Sequence, residues 1–234
     1  PTPGVDAKDW QNRFIELQKK ALSTRLGIPM LFAVDAVHGQ NTFDGATIFP
    51  HNIGLGAARD PSLLKKVINV TRREVLASGV DWVFAPNLAV ARDYHWGRCY
   101  ESFSEDPELV AEYAKIIVEQ FQTNQGEDSV LACVKHWVGD GGTAGGIDQG
   151  DTRIDWDTLK SIHIAPYFNA MDAGALTVMA SFSSWNGVKC HAHKYLITDV
   201  LKQQMGFDGF VISDMQGIDY LAEDFYHADL YLCQ

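Results

Sequence analysis

Short apolar runs recur along the chain, and each stops abruptly at a polar or charged residue. Met30-Leu31-Phe32-Ala33-Val34 ends in Asp35, Trp82-Val83-Phe84-Ala85 in Pro86-Asn87, and Val130-Leu131-Ala132-Cys133-Val134 in Lys135-His136. Leu176-Thr177-Val178-Met179-Ala180 runs into Ser181, and Gly209-Phe210-Val211-Ile212 into Ser213-Asp214. Continuous rather than alternating hydrophobicity predicts strands buried on both faces, as in a parallel sheet. Helical patterns separate them. Asp9 is placed to cap a helix over about 10–24, and Asp60-Pro61 opens one to about Ser78 with Leu63, Leu64, Val67, Ile68 and Val75 as its apolar side. Ser104-Glu105-Asp106-Pro107 opens another to about Gln122, and Asp155–Ala173 and Lys194–Met205 complete the set.

Repeated β-α-β units require right-handed crossovers around a parallel sheet. The fold class expected is therefore α/β, a (β/α)8 TIM-barrel-like domain. Five strong strands and a sixth candidate, Asp229-Leu230-Tyr231-Leu232, fall short of the eight that close a barrel. The barrel expected over residues 1–234 is thus incomplete. Four long segments, Asp35–Arg59, Asn87–Ser104, Gly139–Thr152 and Ser181–His193, all follow strands. That is the side on which barrels carry their sites.

Composition narrows the partners. A net charge of −11 disfavours a phosphate-backbone ligand, so no nucleic acid is expected. No apolar run approaches the roughly 20 residues that span a bilayer. No signal peptide is recognisable at Pro1, although a start without Met is compatible with removal of a leader. Cys99, Cys133, Cys190 and Cys233 are scattered without a Cys-x-x-Cys pair, which argues against a zinc ribbon or a disulfide framework, and Cys133 reads as a core thiol. The sequon Asn69-Val70-Thr71 falls inside a helix, where chance is the better explanation.

The strand ends supply the candidate chemistry. Asp35 reads as a turn cap or as an acceptor for a polyol. Arg98 and Glu101, within Trp96-Gly97-Arg98-Cys99-Tyr100-Glu101-Ser102, read as an ion pair ordering the loop or as a clamp on a substrate hydroxyl. Lys135 and His136 sit within an apolar run that continues through Trp137-Val138, so burial demands hydrogen-bond partners and favours a pair of donors in a pocket. Gly139-Asp140-Gly141-Gly142-Thr143-Ala144 mimics a dinucleotide loop, but no helix follows to hold a pyrophosphate. Cys190-His191-Ala192-His193 mimics a metal cluster, yet its histidines face opposite ways on a strand, so loop residues are the better account. No cofactor or metal is called for. Trp96, Trp137 and Trp185 lie in or beside the loops, either as stacking faces for a pyranose or as caps on the core. Asp214 has three candidate roles: helix cap, metal ligand or nucleophile.

These segments, together with Arg25-Leu26-Gly27-Ile28-Pro29-Met30, Asp35-Ala36-Val37-His38-Gly39, Gly45-Ala46-Thr47-Ile48-Phe49-Pro50, Trp96-Gly97-Arg98-Cys99-Tyr100-Glu101-Ser102-Phe103-Ser104-Glu105-Asp106 and Ser184-Trp185-Asn186-Gly187, resemble glycoside hydrolase family 3 in order over residues 9–221. The branch resembled most is that of β-glucosidases and exo-β-glucan glucohydrolases. The resemblance implies an N-terminal barrel and a retaining, exo-acting cleavage of terminal β-D-glucosyl residues from β-glucosides or β-glucan oligosaccharides. It makes Asp214 the nucleophile and assigns Asp35, Arg98, Lys135 and His136 to the terminal glucose. It also implies an acid/base glutamate outside these residues, on a second α/β domain downstream. A secreted or periplasmic location and homo-oligomerisation are compatible with it.

Phe182 and Met215 occupy substrate-binding positions but depart from the family pattern, which has Tyr and Trp there. Asn87 and Ala91 replace a cysteine pair of some members, and the first family strand, expected upstream of Asp9, has no counterpart. The Lys-His-Phe-Pro-Gly-His-Gly pattern of the N-acetylglucosaminidase branch is not matched by Lys135-His136-Trp137-Val138-Gly139-Asp140-Gly141. Two other readings stand beside the enzyme: a non-catalytic glucose-binding or truncated barrel segment, and a barrel enzyme forming a Schiff base on Lys135.

Overall fold

The computed structural model describes residues 6–123, 126 and 128–221. Five strands form one sheet: β1 (Ala33–Val34), β2 (Trp82–Val83), β3 (Leu131–Trp137), β5 (Thr177–Ala180) and β8 (Phe210–Ile212). They lie side by side in that order and every pairing is parallel. Each return is made through helices: α2 (Asn52–Ala58) and α3 (Pro61–Ala77), then α4 (Pro107–Phe121), then α5 (Trp156–Thr158) and α6 (Ala165–Asp172) with a π-helical segment between them, then π-helical Tyr195–Gln204. This is five strands' worth of the wall of a (β/α) barrel, as expected. The sixth strand candidate, residues 229–232, and Cys233 lie outside the described residues.

The core fills the space between helices and sheet. Val67, Ile68 and Val75 of α3, Val110, Ile117 and Phe121 of α4, and Tyr167 of α6 bury themselves against Val83, Ala132, Val134 and Val178. The helix starts follow their caps. The Asp60 carboxylate accepts from the Leu63 N–H at 3.0 Å and that of Asp106 from Glu108 at 3.0 Å, each with proline at the first helical position. α1 (Ala7–Leu22) begins earlier than expected because Asp6, not Asp9, is the cap and accepts from the Asp9 N–H.

Two further differences have physical causes. The helix expected over 155–173 is interrupted: Leu159–Ile164 winds as a π-helix just before Pro166, which has no N–H to continue an α-helical ladder. The outer strands are also less buried than continuous hydrophobicity suggests. Phe210 is 42% exposed because β8 has a single hydrogen-bonded neighbour among the described residues. Before β1, side chains replace the ladder: Gln18 Oε1 accepts from the Met30 N–H at 2.9 Å and Asp81 Oδ1 from the Phe32 N–H at 3.1 Å.

A second, small sheet lies among the loops. β4 (Asp151–Thr152) pairs parallel with β6 (Ser184–Trp185), which pairs antiparallel with β7 (Val188–Lys189). The hairpin turns on Asn186 and Gly187, both at positive φ (48° and 88°), the backbone that Asn-Gly favours in a two-residue turn.

His163, in the π-helical segment, is a buried titratable group on which stability depends. Burial pushes its imidazole down to about 4, outweighing the Asp140 carboxylate that favours the proton. The folded ring stays neutral while an unfolded one protonates near pH 6.5. Stability is therefore lost as pH falls from about 6.5 toward 4, at about 1.4 kcal/mol per pH unit. Urea unfolding at about pH 7 and pH 4 should show wild type losing about 3 kcal/mol more than His163→Leu, whose side chain does not titrate.

Candidate active site

The pocket forms where the sheet's carboxyl-terminal ends meet the loops. β3 supplies its centre. Its pairing with β5 shifts register between Val134 and Trp137, an irregularity of the kind that re-aims side chains. Lys135–His136 and Trp137–Val138 are cis peptides, as is Ala85–Pro86. Lys135 and His136 are 4% and 3% exposed, so each needs partners.

Lys135 finds one after β1: its Nζ donates to Asp35 Oδ1 at 2.9 Å. The Lys135 ammonium is buried, whereas the Asp35 carboxylate is mostly in solvent. A lysine held this way is an ion-pair partner rather than the free amine that a Schiff base requires. His136 finds two. Nδ1 donates to Asp140 Oδ2 at 2.7 Å, and Nε2 accepts from Arg98 Nη2 at 3.3 Å. Carboxylates only accept and guanidinium groups only donate, so these contacts fix the Nδ1–H tautomer. Asp214 Oδ2 lies 3.7 Å from the same Nε2.

Arg98 is held by a bidentate pair: Nε to Glu101 Oε1 at 2.7 Å and Nη2 to Glu101 Oε2 at 2.8 Å. Asn87 Nδ2 also donates to Glu101, at 2.9 Å. Burial acts to raise the Glu101 carboxyl, but the Arg98 hydrogen bonds and charge outweigh it and hold it below the ordinary range. For Arg98, burial opposes the charge and Glu101 restores it, leaving the guanidinium still more firmly protonated than usual. The ion-pair reading of this loop is what the geometry shows, and the paired Arg98 also lines the pocket.

Two separate cavities result, with Arg98 as a shared wall. One, about 250 Å3, is lined by Asp35, His38, His51, Arg98, Tyr100 and Lys135. The other is lined by Arg98, His136, Asp140, Asp148, Phe182 and Asp214. Arg98 borders both. Six of the seven candidate residues, Asp35, Arg98, Lys135, His136, Phe182 and Asp214, therefore share one region. Met215 does not join them; it is 81% exposed and lines neither cavity.

Sequence reasoning passes over three features. Asp140 lies inside the glycine-rich segment that mimics a nucleotide loop. Its glycines serve packing: a Cβ at Gly141 would stand 2.5 Å from the Val90 carbonyl oxygen. The spacing of Glu101 pairs it with Arg98 but does not place it against Asn87. His191 accepts from the Asp214 backbone N–H, and that contact joins residues remote in sequence, so only the fold makes it visible. Conversely, Trp96 and Trp137 are buried (2% and 0% exposed) and cap the core rather than offer stacking faces. Trp96 Nε1 donates to Asp148, and Trp137 packs edge-on to Tyr167. Trp185 is half-buried, beside His193 and Trp156. Cys133 and Cys190 are buried free thiols, pushed by burial up to about 12 and about 11.

A parallel sheet with a charged pocket at its strand ends defines a (β/α)-barrel domain with its site in the usual place for that class. Residues 5–231 match the model of the glycosyl hydrolase family 3 N-terminal domain, and the chain belongs to glycoside hydrolase family 3. It is 48% identical to an exo-1,3/1,4-β-glucanase of a Pseudoalteromonas species, superposing with a TM-score of 0.89 over 92% of this chain and 28% of that one. A β-glucosidase of Listeria innocua, solved with laminaribiose, is 31% identical with a TM-score of 0.89, over 97% of this chain and 32% of that one. A periplasmic β-glucosidase of Salmonella typhimurium is 34% identical over 89% of this chain and 27% of its own length. The chain thus spans about 30% or less of the length of the first curated relatives it matches.

Removing Glu101 leaves Arg98 in a mostly buried pocket without its bidentate partner. Glu101→Gln should cost about 2–3 kcal/mol in urea unfolding at neutral pH. Because the folded carboxyl is held below its unfolded value, the difference from wild type should shrink as pH falls below about 4.

Proposed function

We propose that this chain is the nucleophile-bearing barrel of a retaining, exo-acting β-glucosidase or β-glucan glucohydrolase. The single observation that carries the reading is the position of Asp214. Its carboxylate stands just after β8, 3.7 Å from His136 Nε2, in a cavity that shares Arg98 as a wall with the cavity lined by Lys135 and Asp35. A pyranose with its anomeric carbon at Asp214 meets a row of hydroxyl-binding groups along its length: His136, Arg98, Lys135 and Asp35. These act by positioning. Asp214 attacks the anomeric carbon, the glycosidic oxygen departs, and a covalent glycosyl-enzyme is left for water to release.

Retention needs a second carboxyl group about 5–5.5 Å from the nucleophile to protonate the leaving oxygen. Asp140 is committed to His136. We assign the proton donor to a glutamate on a second α/β domain outside these residues, a reading supported by the greater length of the relatives. Two relatives are described as periplasmic, and no described helix is long and apolar enough to cross a membrane. The first of these facts supports an enzyme acting outside the cytoplasm, and the second is compatible with it. Phe182 borders the site beside Asp214, and Met215, exposed and next to Asp214 in the chain, is assigned to the leaving-group side.

The second reading, a glucose-binding segment without chemistry, rests on the lack of a free acid partner for Asp214 among the described residues. A leaving group that needs no proton separates the two. A 2,4-dinitrophenyl 2-deoxy-2-fluoro-β-glucoside should release dinitrophenolate once per chain and leave a fluoroglucosyl group on the peptide containing Asp214, read by mass spectrometry. Asp214→Asn should abolish the label. An unlabelled wild type that still binds glucose by calorimetry would instead establish the non-catalytic reading.

A further inference from the structure

Asp214 ends a strand with one hydrogen-bonded neighbour among the described residues, β5. From another direction the chain there is held by His191. This imidazole, 2% exposed, lies in the short turn Cys190–Ala192 that follows β7. Its Nε2 accepts the Asp214 backbone N–H at 3.1 Å. The Phe182 ring packs on it at a centroid distance of 5.6 Å. The turn after Asp214 closes over it, with the Gly217 N–H donating to the Asp214 carbonyl at 2.9 Å. A Cβ at Gly217 would come within 2.2 Å of His191 Nε2, so this approach requires glycine.

We propose that His191 is a positioning residue for Asp214: as a neutral acceptor it fixes the Asp214 backbone, and protonation of its ring releases that hold at acid pH. The consequence for chemistry rests on the nucleophilic role proposed for Asp214; the tether itself does not.

Nε2 can accept only without a proton. The Ser181 backbone beside the ring favours its proton. The charged groups around it oppose one another. The Asp214 carboxylate, at the end of β8, favours protonation, whereas Lys189 of β7 and His136 of β3 disfavour it. Lys189 is itself tied to the Phe182 carbonyl at 2.7 Å. Burial is the largest influence and leaves the ring more readily neutral than an ordinary histidine. The tether is therefore intact at neutral pH. On acidification a proton arrives on Nε2 and faces the Asp214 N–H, so donor meets donor and the bond is lost.

A histidine that merely fills space would not couple these two groups. In NMR titrations from about pH 8 to about pH 5, the Asp214 amide resonance should follow the His191 ring resonances with the same midpoint. In His191→Gln, which can accept through Oε1 but does not titrate, that transition should vanish. The labelling rate with the fluoroglucoside should fall in acid with the His191 midpoint in wild type. Its acid limb should move to lower pH in His191→Gln, and His191→Phe should label on the order of 10-fold more slowly at neutral pH. An Asp214 amide that moves independently of His191, or an unchanged acid limb in His191→Gln, would overturn the proposal. If the amide follows His191 but wild type does not label, the tether stands and the nucleophile reading falls.

Discussion

Two neighbouring basic side chains buried at the end of one strand set the terms for everything around them. Lys135 and His136 cannot remain in the interior of a parallel sheet without partners. Each partner arrives on a different loop: Asp35 after β1, Arg98 with Glu101 after β2, Asp140 after β3 itself, and Asp214 after β8. Satisfying the centre of the sheet therefore draws the loops of its neighbours inward. The pocket is the by-product of that neutralisation, which is why its lining is rich in groups that can bind hydroxyls. An apolar centre would leave those loops free to fold separately.

The arrangement also sorts the groups by how firmly they are held. Arg98 has two hydrogen bonds to Glu101, which is itself pinned by Asn87. His136 has both ring nitrogens engaged. A network with every member partnered is rigid in a low-dielectric pocket and expensive to break singly. The Asp35 carboxylate, by contrast, is largely solvated and attached through Lys135 alone among the described contacts. Recognition of a rigid ring gains from the fixed groups, while an exposed rim carboxylate can adjust to what the ring carries.

Much of this is legible in the sequence because strand ends announce themselves. An apolar run that halts at Asp35, at Lys135-His136 or at Asp214 places those residues at one edge of a sheet, whatever the loops do. What stays hidden depends on which loop folds over which. Asp140 sits among glycines that resemble a phosphate loop but exist to let the segment pass close to Val90. Trp96 and Trp137 occupy loop or strand-end positions in sequence yet are sealed into the core. The small sheet escapes a search for apolar runs because its strands are two residues long, although Asn186-Gly187 between Trp185 and Val188 is a hairpin signal in plain view. The edge strands mislead in the other direction: hydrophobicity reports what a strand can bury, not what lies beside it.

An edge strand also carries Asp214. Asp35, Arg98, Lys135 and His136 stand on the interior of the sheet or are cross-braced to it. Asp214 instead follows β8, whose ladder runs to β5 alone among the described residues. A strand paired on one side leaves its end free to swing about that ladder, and a displacement on the order of 1 Å is enough to spoil an attacking geometry. The Asp214 backbone is tied back toward the interior by a histidine carried on the same loop as Phe182, which packs against it. The loop between β5 and the following helix thus reaches the site twice, once as its wall and once as the anchor of its carboxylate.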